Sequence, residues 1–110
     1  MKELVTKDLD SKTIQTILNN FESCFYNNSV FVIYENHIPQ ACFFLKSGKI
    51  EIYKKKELVY TLSPYEIIGL IELKNDIPSK FGVKIIKGSE VCIIGKYSLN
   101  NNFTDFLKSS

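Results

Sequence analysis

The stretch FFLKSGKIEIY, residues 43–53, decides how this sequence folds. After Gly48 the residues alternate, with Ile50 and Ile52 on one side of the chain and polar or aromatic residues between them. A period of two is that of a strand with one buried face. Residues 43–45 before the turn are apolar, and Gly48 allows the backbone conformation that a tight turn favours. The stretch therefore predicts a β-hairpin whose isoleucines face a core.

The same pattern continues outward from this hairpin in both directions. Short runs of β-branched and aromatic residues recur, separated by turn-forming residues such as Asn, Pro, Ser and Gly. One run alternates as clearly as the hairpin, with Phe81, Val83 and Ile85 on one side. About seven short strands at this spacing indicate a mainly β sandwich or barrel. The predicted strands lie near residues 30–34, 41–46, 49–54, 57–62, 67–73, 81–86 and 90–96.

Helical spacing flanks the strands on both sides. An apolar stripe with a helical period predicts an amphipathic helix over residues 11–26, capped by Asp10 or Ser11. The stripe consists of Ile14, Ile17, Leu18, Phe21 and Phe25. A short second helix is predicted over residues 98–107, and the first nine residues are predicted to form a loose arm. With the strands over residues 29–96, the chain of 110 residues is expected to form a single domain spanning 1–110.

The composition limits the classes of protein to consider. A hydrophobic content of 45% with 24% charged residues is that of a folded chain. The net charge of +2 gives little support for a nucleic-acid partner. The longest apolar runs fall well short of the roughly 18 residues that span a bilayer, and the N-terminus has no signal-peptide pattern. Three cysteines without metal or redox spacing suit reduced thiols in a cytoplasmic protein.

Several motifs resemble the cyclic nucleotide-binding domain of bacterial transcription regulators, protein-kinase regulatory subunits and gated channels. Residues 29–36 look like its first strand, residues 43–53 like its glycine hairpin, residues 58–69 like the approach to its phosphate cassette, and residues 89–94 like its last strand. The resemblance covers residues 14–107. It implies a double-stranded β-helix, a jelly-roll-like β-roll, with an N-terminal helix and a short C-terminal helix.

The resemblance also implies where a ligand would lie. In the family, a Gly-Glu pair begins a short helix whose backbone N–H groups receive the cyclic phosphate, and the glutamate holds the ribose. An arginine about ten residues later pairs with the phosphate. Gly69 matches the glycine, but Leu70 replaces the glutamate and Ile71 follows it. Ser79 takes the arginine position if the strand alternation is kept, and Lys80 takes it after a shift of one residue.

These five residues are the candidate ligand-binding site of a degenerate pocket. Since both polar contacts are replaced, we do not expect cyclic AMP or cyclic GMP to bind in the family's manner.

Catalytic and metal chemistry receive little support from the sequence. A single histidine, His37, cannot build the imidazole metal site of the cupin enzymes or serve a converging nucleophile. The nearest group of carboxylates, Glu66, Glu72 and Asp76, is expected to face solvent. No glycine-rich phosphate loop is present. We therefore predict no catalytic residue, no metal and no cofactor, and expect that the chain is not an enzyme.

Two functional hypotheses follow. The first is a non-enzymatic regulatory or adaptor module that contacts another protein, with exposed aromatic residues as a contact surface, no DNA-binding element and no membrane span. A homodimer is compatible with it. The second is a small-ligand sensor for a nucleotide or other anion, in which Lys80 or Lys84 takes the place of the arginine. The three lysines at residues 54–56 are interpreted as a solvated hairpin tip.

Overall fold

A computed structural model describes residues 5–96, which form two antiparallel sheets and two helices. The first sheet has five strands in the order β1-β7-β4-β9-β2, and the second has four in the order β3-β8-β5-β6. The elements in chain order are β1 (Val5–Thr6), α1 (Ser11–Asn20), β2 (Ser23–Phe25), β3 (Val30–Ile33), β4 (Ala41–Ser47), β5 (Ile50–Lys54), β6 (Glu57–Thr61), β7 (Ile67–Ile68), α2 (Leu70–Asn75), β8 (Gly82–Ile85) and β9 (Glu90–Gly95).

The two sheets face each other across an apolar core. Alternate residues of β5 and β8 point into it, and Ile50, Ile52, Val83 and Ile85 are fully buried. This is the alternation that the sequence predicted, so the mainly β roll is confirmed. Burial of these side chains is the main source of stability, at roughly 1.5–3 kcal/mol for each large apolar side chain.

A second apolar layer lies on the other face of the first sheet. Strand β4 serves both layers, because Phe43 and Leu45 face the inner core while Cys42 and Phe44 face the helices. Ile17 of α1 packs on this outer face together with two leucines of α2. Within residues 5–96, neither helix packs on the outer face of the second sheet. The layers are therefore helices, first sheet and second sheet.

The predicted hairpin turn depends on two features of Gly48. Its φ of +93° lies in the region that favours glycine. A Cβ at this position would also lie 2.6 Å from Cα of Ser89. The hydroxyl of Ser89 accepts from Lys49 N–H at 2.8 Å and donates to the Lys49 carbonyl at 2.9 Å. The turn between β4 and β5 is thus pressed against the loop before β9.

The N-terminal helix begins as predicted but is shorter. Asp10 is its N-cap and accepts from Thr13 N–H at 2.7 Å. The helix ends at Asn20, not at residue 26, since Phe21 is already extended and residues 23–25 pair with β9. The side chain of Phe25, predicted to lie on the buried stripe, is 62% exposed. Residues 23–25 form hydrogen bonds with β9 in place of those that a longer helix would provide, so their backbone groups are satisfied in the strand.

Two further predictions need correction. Only Ile67–Ile68 of the predicted strand 67–73 is a strand, and α2 begins directly after Gly69. The supposed loose arm contains β1, which pairs antiparallel with β7 and buries Val5 in the inner core. The predicted helix 98–107 lies outside the described residues, and the single-domain division over 1–110 stays a prediction. Between residues 5 and 96, no helix is both long and apolar enough to cross a bilayer.

Candidate functional site

Gly69 joins β7 to α2 in a conformation that suits glycine. Its φ is +88°, and it caps α2 without a side-chain hydrogen bond, while its carbonyl accepts from Leu73 N–H at 3.0 Å. A Cβ at this position would lie 3.0 Å from Cδ1 of Ile33, a residue of the inner core. The backbone at the start of α2 therefore approaches the interior of the roll closely.

The residues that follow Gly69 mainly build the core. Leu70 is 7% exposed and belongs, with Leu73, to the apolar cluster between the helices and the first sheet. Ile71 is half-buried, and its carbonyl accepts from the Asn75 side chain at 2.9 Å. Leu70 therefore has a packing role against α1 and the first sheet, and its side chain offers no polar group to a ligand.

Ser79 is buried and its polar groups are used within the chain. Its N–H donates to the His37 carbonyl at 2.9 Å, and its carbonyl accepts from Asn36 N–H at 2.7 Å. Its hydroxyl donates to the Phe81 carbonyl at 2.7 Å and accepts from Phe81 N–H at 3.2 Å. At 1% exposure the residue ties the loop after β3 to the start of β8. A serine in this place is explained by local structure alone.

The two lysines considered as substitutes for the arginine lie away from the inner core. Lys80 is exposed, and its carbonyl accepts from the Lys54 ammonium at 2.8 Å, near the β5–β6 tip. Lys84 lies on β8 between the inward-facing Val83 and Ile85, so it points to the outer face of the second sheet. Neither side chain is therefore directed into the inner core that Gly69 approaches.

The remaining titratable candidates do not converge. Glu66 accepts from the Tyr60 hydroxyl at 3.1 Å and from Ser63 N–H at 2.9 Å. Glu72 is buried on α2 and interacts within the protein, so the expectation that it faces solvent is wrong. Asp76 forms a salt bridge with Lys96. Over residues 5–96, no group of three or more His, Cys, Asp or Glu side chains could hold a metal ion.

One cleft opens beside the cassette. It has a volume of about 270 Å³ and lies between β3, the following loop and β4. His37 is its one basic side chain, and most of the wall is apolar; the lining residues are Val32, Ile33, Tyr34, His37, Ile38, Pro39, Gln40, Ala41 and Phe43. Such a wall suits an uncharged group better than a phosphate.

The structure also contains a second cleft, here called the aromatic–lysine cleft, which was not predicted from the sequence. Its volume is about 330 Å³ and it lies on the outer face of the second sheet. The sequence predicted a contact surface of exposed aromatic residues but could not group the residues of this cleft, because they come from separate strands and loops. The cleft is lined by Phe31, Tyr34, Glu35, Tyr53, Lys56, Gly82 and Lys84.

The N-terminal strand also contributes to the neighbourhood of the cassette. Val5 pairs with Ile68, directly before Gly69, and is 3% exposed in the inner core. Lys7 places its ammonium 4.6 Å from the centre of the Tyr60 ring, and a hydrogen bond with that side chain raises the pKa of Lys7. These contacts could not be predicted from the sequence, since a two-residue strand has no periodicity of its own.

Comparisons with known structures agree with the architecture. The Catabolite Activator Protein of Thermus thermophilus superposes with a TM-score of 0.71 at 16% identity, covering 91% of this chain and 49% of that one. The regulatory domain of Toxoplasma gondii protein kinase A with cAMP superposes with a TM-score of 0.71 at 18% identity, covering 93% of this chain and 41% of that one. A third similar structure is the regulatory subunit of a cAMP-independent protein kinase A from Trypanosoma cruzi, bound to guanosine. Its TM-score is 0.68 at 16% identity, and the match covers 92% of this chain and 36% of that one.

This chain therefore spans about half or less of each of these relatives. No curated protein sequence matches it. A family model described as the cyclic nucleotide-binding domain matches residues 24–105, well over half of the chain. The glycine hairpin and the helix that begins after Gly69 lie within the matched residues. The chain belongs to the cyclic nucleotide-binding domain family.

Proposed function

We propose that this domain is a non-catalytic regulatory or adaptor module that acts by contact with another protein and does not bind cyclic AMP or cyclic GMP in the family's manner. The observation that carries the proposal is the use of Leu70 and Ser79 by the fold itself. Leu70 fills the helix-side core, and Ser79 is consumed by hydrogen bonds to its own loop. A cytoplasmic location is part of the proposal.

The energetics support weak nucleotide binding. A charge-assisted hydrogen bond contributes about 1.5–3 kcal/mol, so loss of one weakens binding roughly ten- to a hundredfold. Leu70 stands at the family's glutamate position, and with the strand alternation kept Ser79 stands at the arginine position, so in that alignment both charged groups are missing. Two such losses would move a micromolar site to about the millimolar range or beyond. The exposure of Lys80 and the position of Lys84 on the outer face of the second sheet support the proposal that neither replaces the arginine.

The test is calorimetric titration of the purified chain with cyclic AMP and cyclic GMP, together with the melting temperature. We expect no saturable heat at ligand concentrations near 1 mM and no rise in melting temperature. The regulatory domain of the Toxoplasma gondii kinase serves as the positive control, since its structure contains cAMP. A dissociation constant below about 10 μM would refute the proposal, because that affinity requires a full set of phosphate and ribose contacts.

Two lysine variants distinguish the adaptor proposal from the hypothesis of a rewired phosphate pocket. Lys80→Met and Lys84→Met remove the two cations that a rewired pocket would need. We expect neither to change any heat seen with cyclic nucleotides. If either variant abolished a measurable signal, the sensor hypothesis with that lysine as phosphate partner would replace the adaptor.

One observation favours a second candidate, a sensor of an uncharged nucleoside-sized ligand. The cleft of about 270 Å³ beside the cassette has a mostly apolar wall, and the similar kinase subunit from Trypanosoma cruzi is cAMP-independent and bound to guanosine. Guanosine therefore belongs in the same titration. Saturable guanosine binding, lost on filling the cleft by Ala41→Leu, would favour this candidate over the adaptor.

A further inference from the structure

The outer face of the second sheet is the part of the roll that no helix covers within residues 5–96. Phe31 on β3 is paired with Lys84 on β8, and Tyr53 on β5 is paired with Gly82 on β8. Because these strands are neighbours, the four outward positions form one continuous surface. Both Phe31, at 38%, and Tyr34, at 55%, remain substantially exposed.

This surface is concave because Gly82 has no side chain. The Phe31 ring lies 5.7 Å from the Tyr53 ring and 6.1 Å from the Tyr34 ring, measured between centroids. A Cβ on Gly82 would sit 3.5 Å from Cε1 of Phe31, on the floor between the rings. The aromatic–lysine cleft is thus a small depression with three aromatic walls, large enough for one bulky side chain.

The charges around the cleft are unequally satisfied. Glu35 pairs with Lys54 at 3.5 Å and accepts from Lys55 N–H at 2.9 Å. Glu51 on the same face accepts from the Tyr53 hydroxyl at 2.6 Å. Glu35 is therefore paired with a cation, whereas Glu51 is bound by a neutral hydroxyl and lies opposite Lys84 in the strand pairing.

The two lysines that line the cleft have no such partner. In the described part of the chain, neither Lys56 nor Lys84 forms a salt bridge. The Lys84 ammonium lies 5.6 Å from the centre of the Phe31 ring. Glu51 lies opposite Lys84 on β5 but forms no salt bridge with it. A cation held over an aromatic wall and outside salt-bridge distance of the carboxylates in the described residues is complementary to an anionic group that enters beside an apolar one.

We infer that the aromatic–lysine cleft binds an acidic peptide segment of a partner protein, with one aromatic or aliphatic side chain seated between the rings and adjacent carboxylates reaching Lys56 and Lys84. The inference rests on the proposed function, in which the domain acts by protein contact. Strand β3 is at the edge of its sheet, so an extended segment can lie alongside it. Aromatic side chains in small pockets commonly dominate the energy of such contacts.

A single-stranded nucleic acid fits the same surface less well. Binding of a phosphate backbone needs a track of cations, and its strength grows with the number of phosphates neutralised. The cleft instead carries a carboxylate, Glu35, among its walls, and the whole chain has a net charge of only +2. A short acidic peptide needs only the two cations that are present.

The experiment selects peptides from a random library displayed on phage, with the purified chain as bait. The selection is repeated on Lys84→Met and on Tyr34→Ala; Lys84 is half-buried on the outer face of β8 and Tyr34 is exposed, so neither change removes a core side chain. Lys12→Met, an exposed lysine on α1, is the matched control. An enriched peptide is then synthesised with a fluorophore and its affinity is measured by fluorescence polarisation.

We expect enrichment of sequences with an aromatic or aliphatic residue beside Asp or Glu. Each cleft variant should weaken the peptide at least about fivefold, as for a residue worth about 1 kcal/mol, while Lys12→Met should leave it unchanged. Absence of enrichment, selection of basic peptides, equal binding to all variants, or tighter binding of oligothymidine than of the peptide would each overturn the inference.

The outcome is separable from that of the proposed function. Tight cyclic AMP binding with intact peptide selection would refute the proposed lack of nucleotide binding and leave the cleft standing. Failure of peptide selection without nucleotide binding would refute the cleft alone, since the contact surface would then lie elsewhere.

Discussion

Replacement of Gly48 by alanine tests the turn that connects β4 of the first sheet to β5 of the second sheet. Gly48 and Gly88 have nearly equal φ values, +93° and +89°. Alanine in left-handed backbone costs about 1–2 kcal/mol at either place. The surroundings differ, since a Cβ on Gly88 would meet nothing within 4 Å, whereas one on Gly48 would lie 2.6 Å from Cα of Ser89. Gly88→Ala is therefore a matched control for the conformational cost.

The additional loss at Gly48 comes from displacement of Ser89. An overpacked contact against backbone costs about 1–3 kcal/mol. Movement of Ser89 also weakens its two hydrogen bonds to the Lys49 backbone, and an ordinary hydrogen bond contributes about 1 kcal/mol. We therefore expect Gly48→Ala to lower the free energy of unfolding by about 3–5 kcal/mol and Gly88→Ala by only about 1–2 kcal/mol.

Urea unfolding gives both values. The chain has no tryptophan, so far-ultraviolet circular dichroism or tyrosine fluorescence reports the transition. Equal slopes with denaturant would show that both variants unfold from the same native state. A difference of less than about 0.5 kcal/mol between the unfolding free energies of the two variants would contradict the predicted clash with Ser89. The loop before β9 would then accommodate a methyl group without cost.

Three other expectations follow from single sites. Ser79→Ala should lower the free energy of unfolding by about 1–3 kcal/mol in urea titration, because the Phe81 N–H loses its buried acceptor, and an unchanged midpoint would contradict its structural role. Cys24 is exposed and should react with a thiol reagent in the native protein. Cys42 should not react, since burial raises its pKa to about 12. Equal reaction rates of the two thiols before unfolding would contradict the burial of Cys42. Hydrogen bonds with Thr13 hold the pKa of Asp10 below its ordinary value of 3.8, so its stabilising effect is full above that pH and is lost as the pH falls through the folded value. The stability difference between wild type and Asp10→Ala should therefore shrink in acid, and a difference that grew on acidification would show that the charged cap is not stabilising.

Local structure could be predicted from the sequence at positions where a single local preference decides the conformation. Ile50 and Ile52 alternate with polar neighbours, and both are fully buried as that pattern requires. Asp10 caps the first helix as its side chain predicts. Gly48 occupies the left-handed turn for which glycine is suited. In each case neighbours in the sequence supply the deciding physics, so no distant partner needs to be known.

The short helix after Gly69 shows where such rules are ambiguous. Residues 67–73 are largely apolar, and a short apolar run fits a strand or a buried helix equally well. The close approach of Gly69 to Ile33, and the space for Leu70 against the first sheet, select the helix. The resemblance predicted a short helix after Gly69, and α2 begins there, but the direction of the Leu70 side chain required the fold.

Tertiary structure alone decided the parts that depend on remote pairing. Residues 23–25 become a strand because β9 satisfies their backbone groups, and Val5 is buried because β7 offers an edge beside it. The aromatic–lysine cleft likewise joins Phe31 and Lys84, which are far apart in the chain and adjacent in the sheet. Local propensity is read from neighbours in sequence, whereas strand pairing and surface chemistry depend on contacts that only the folded chain creates.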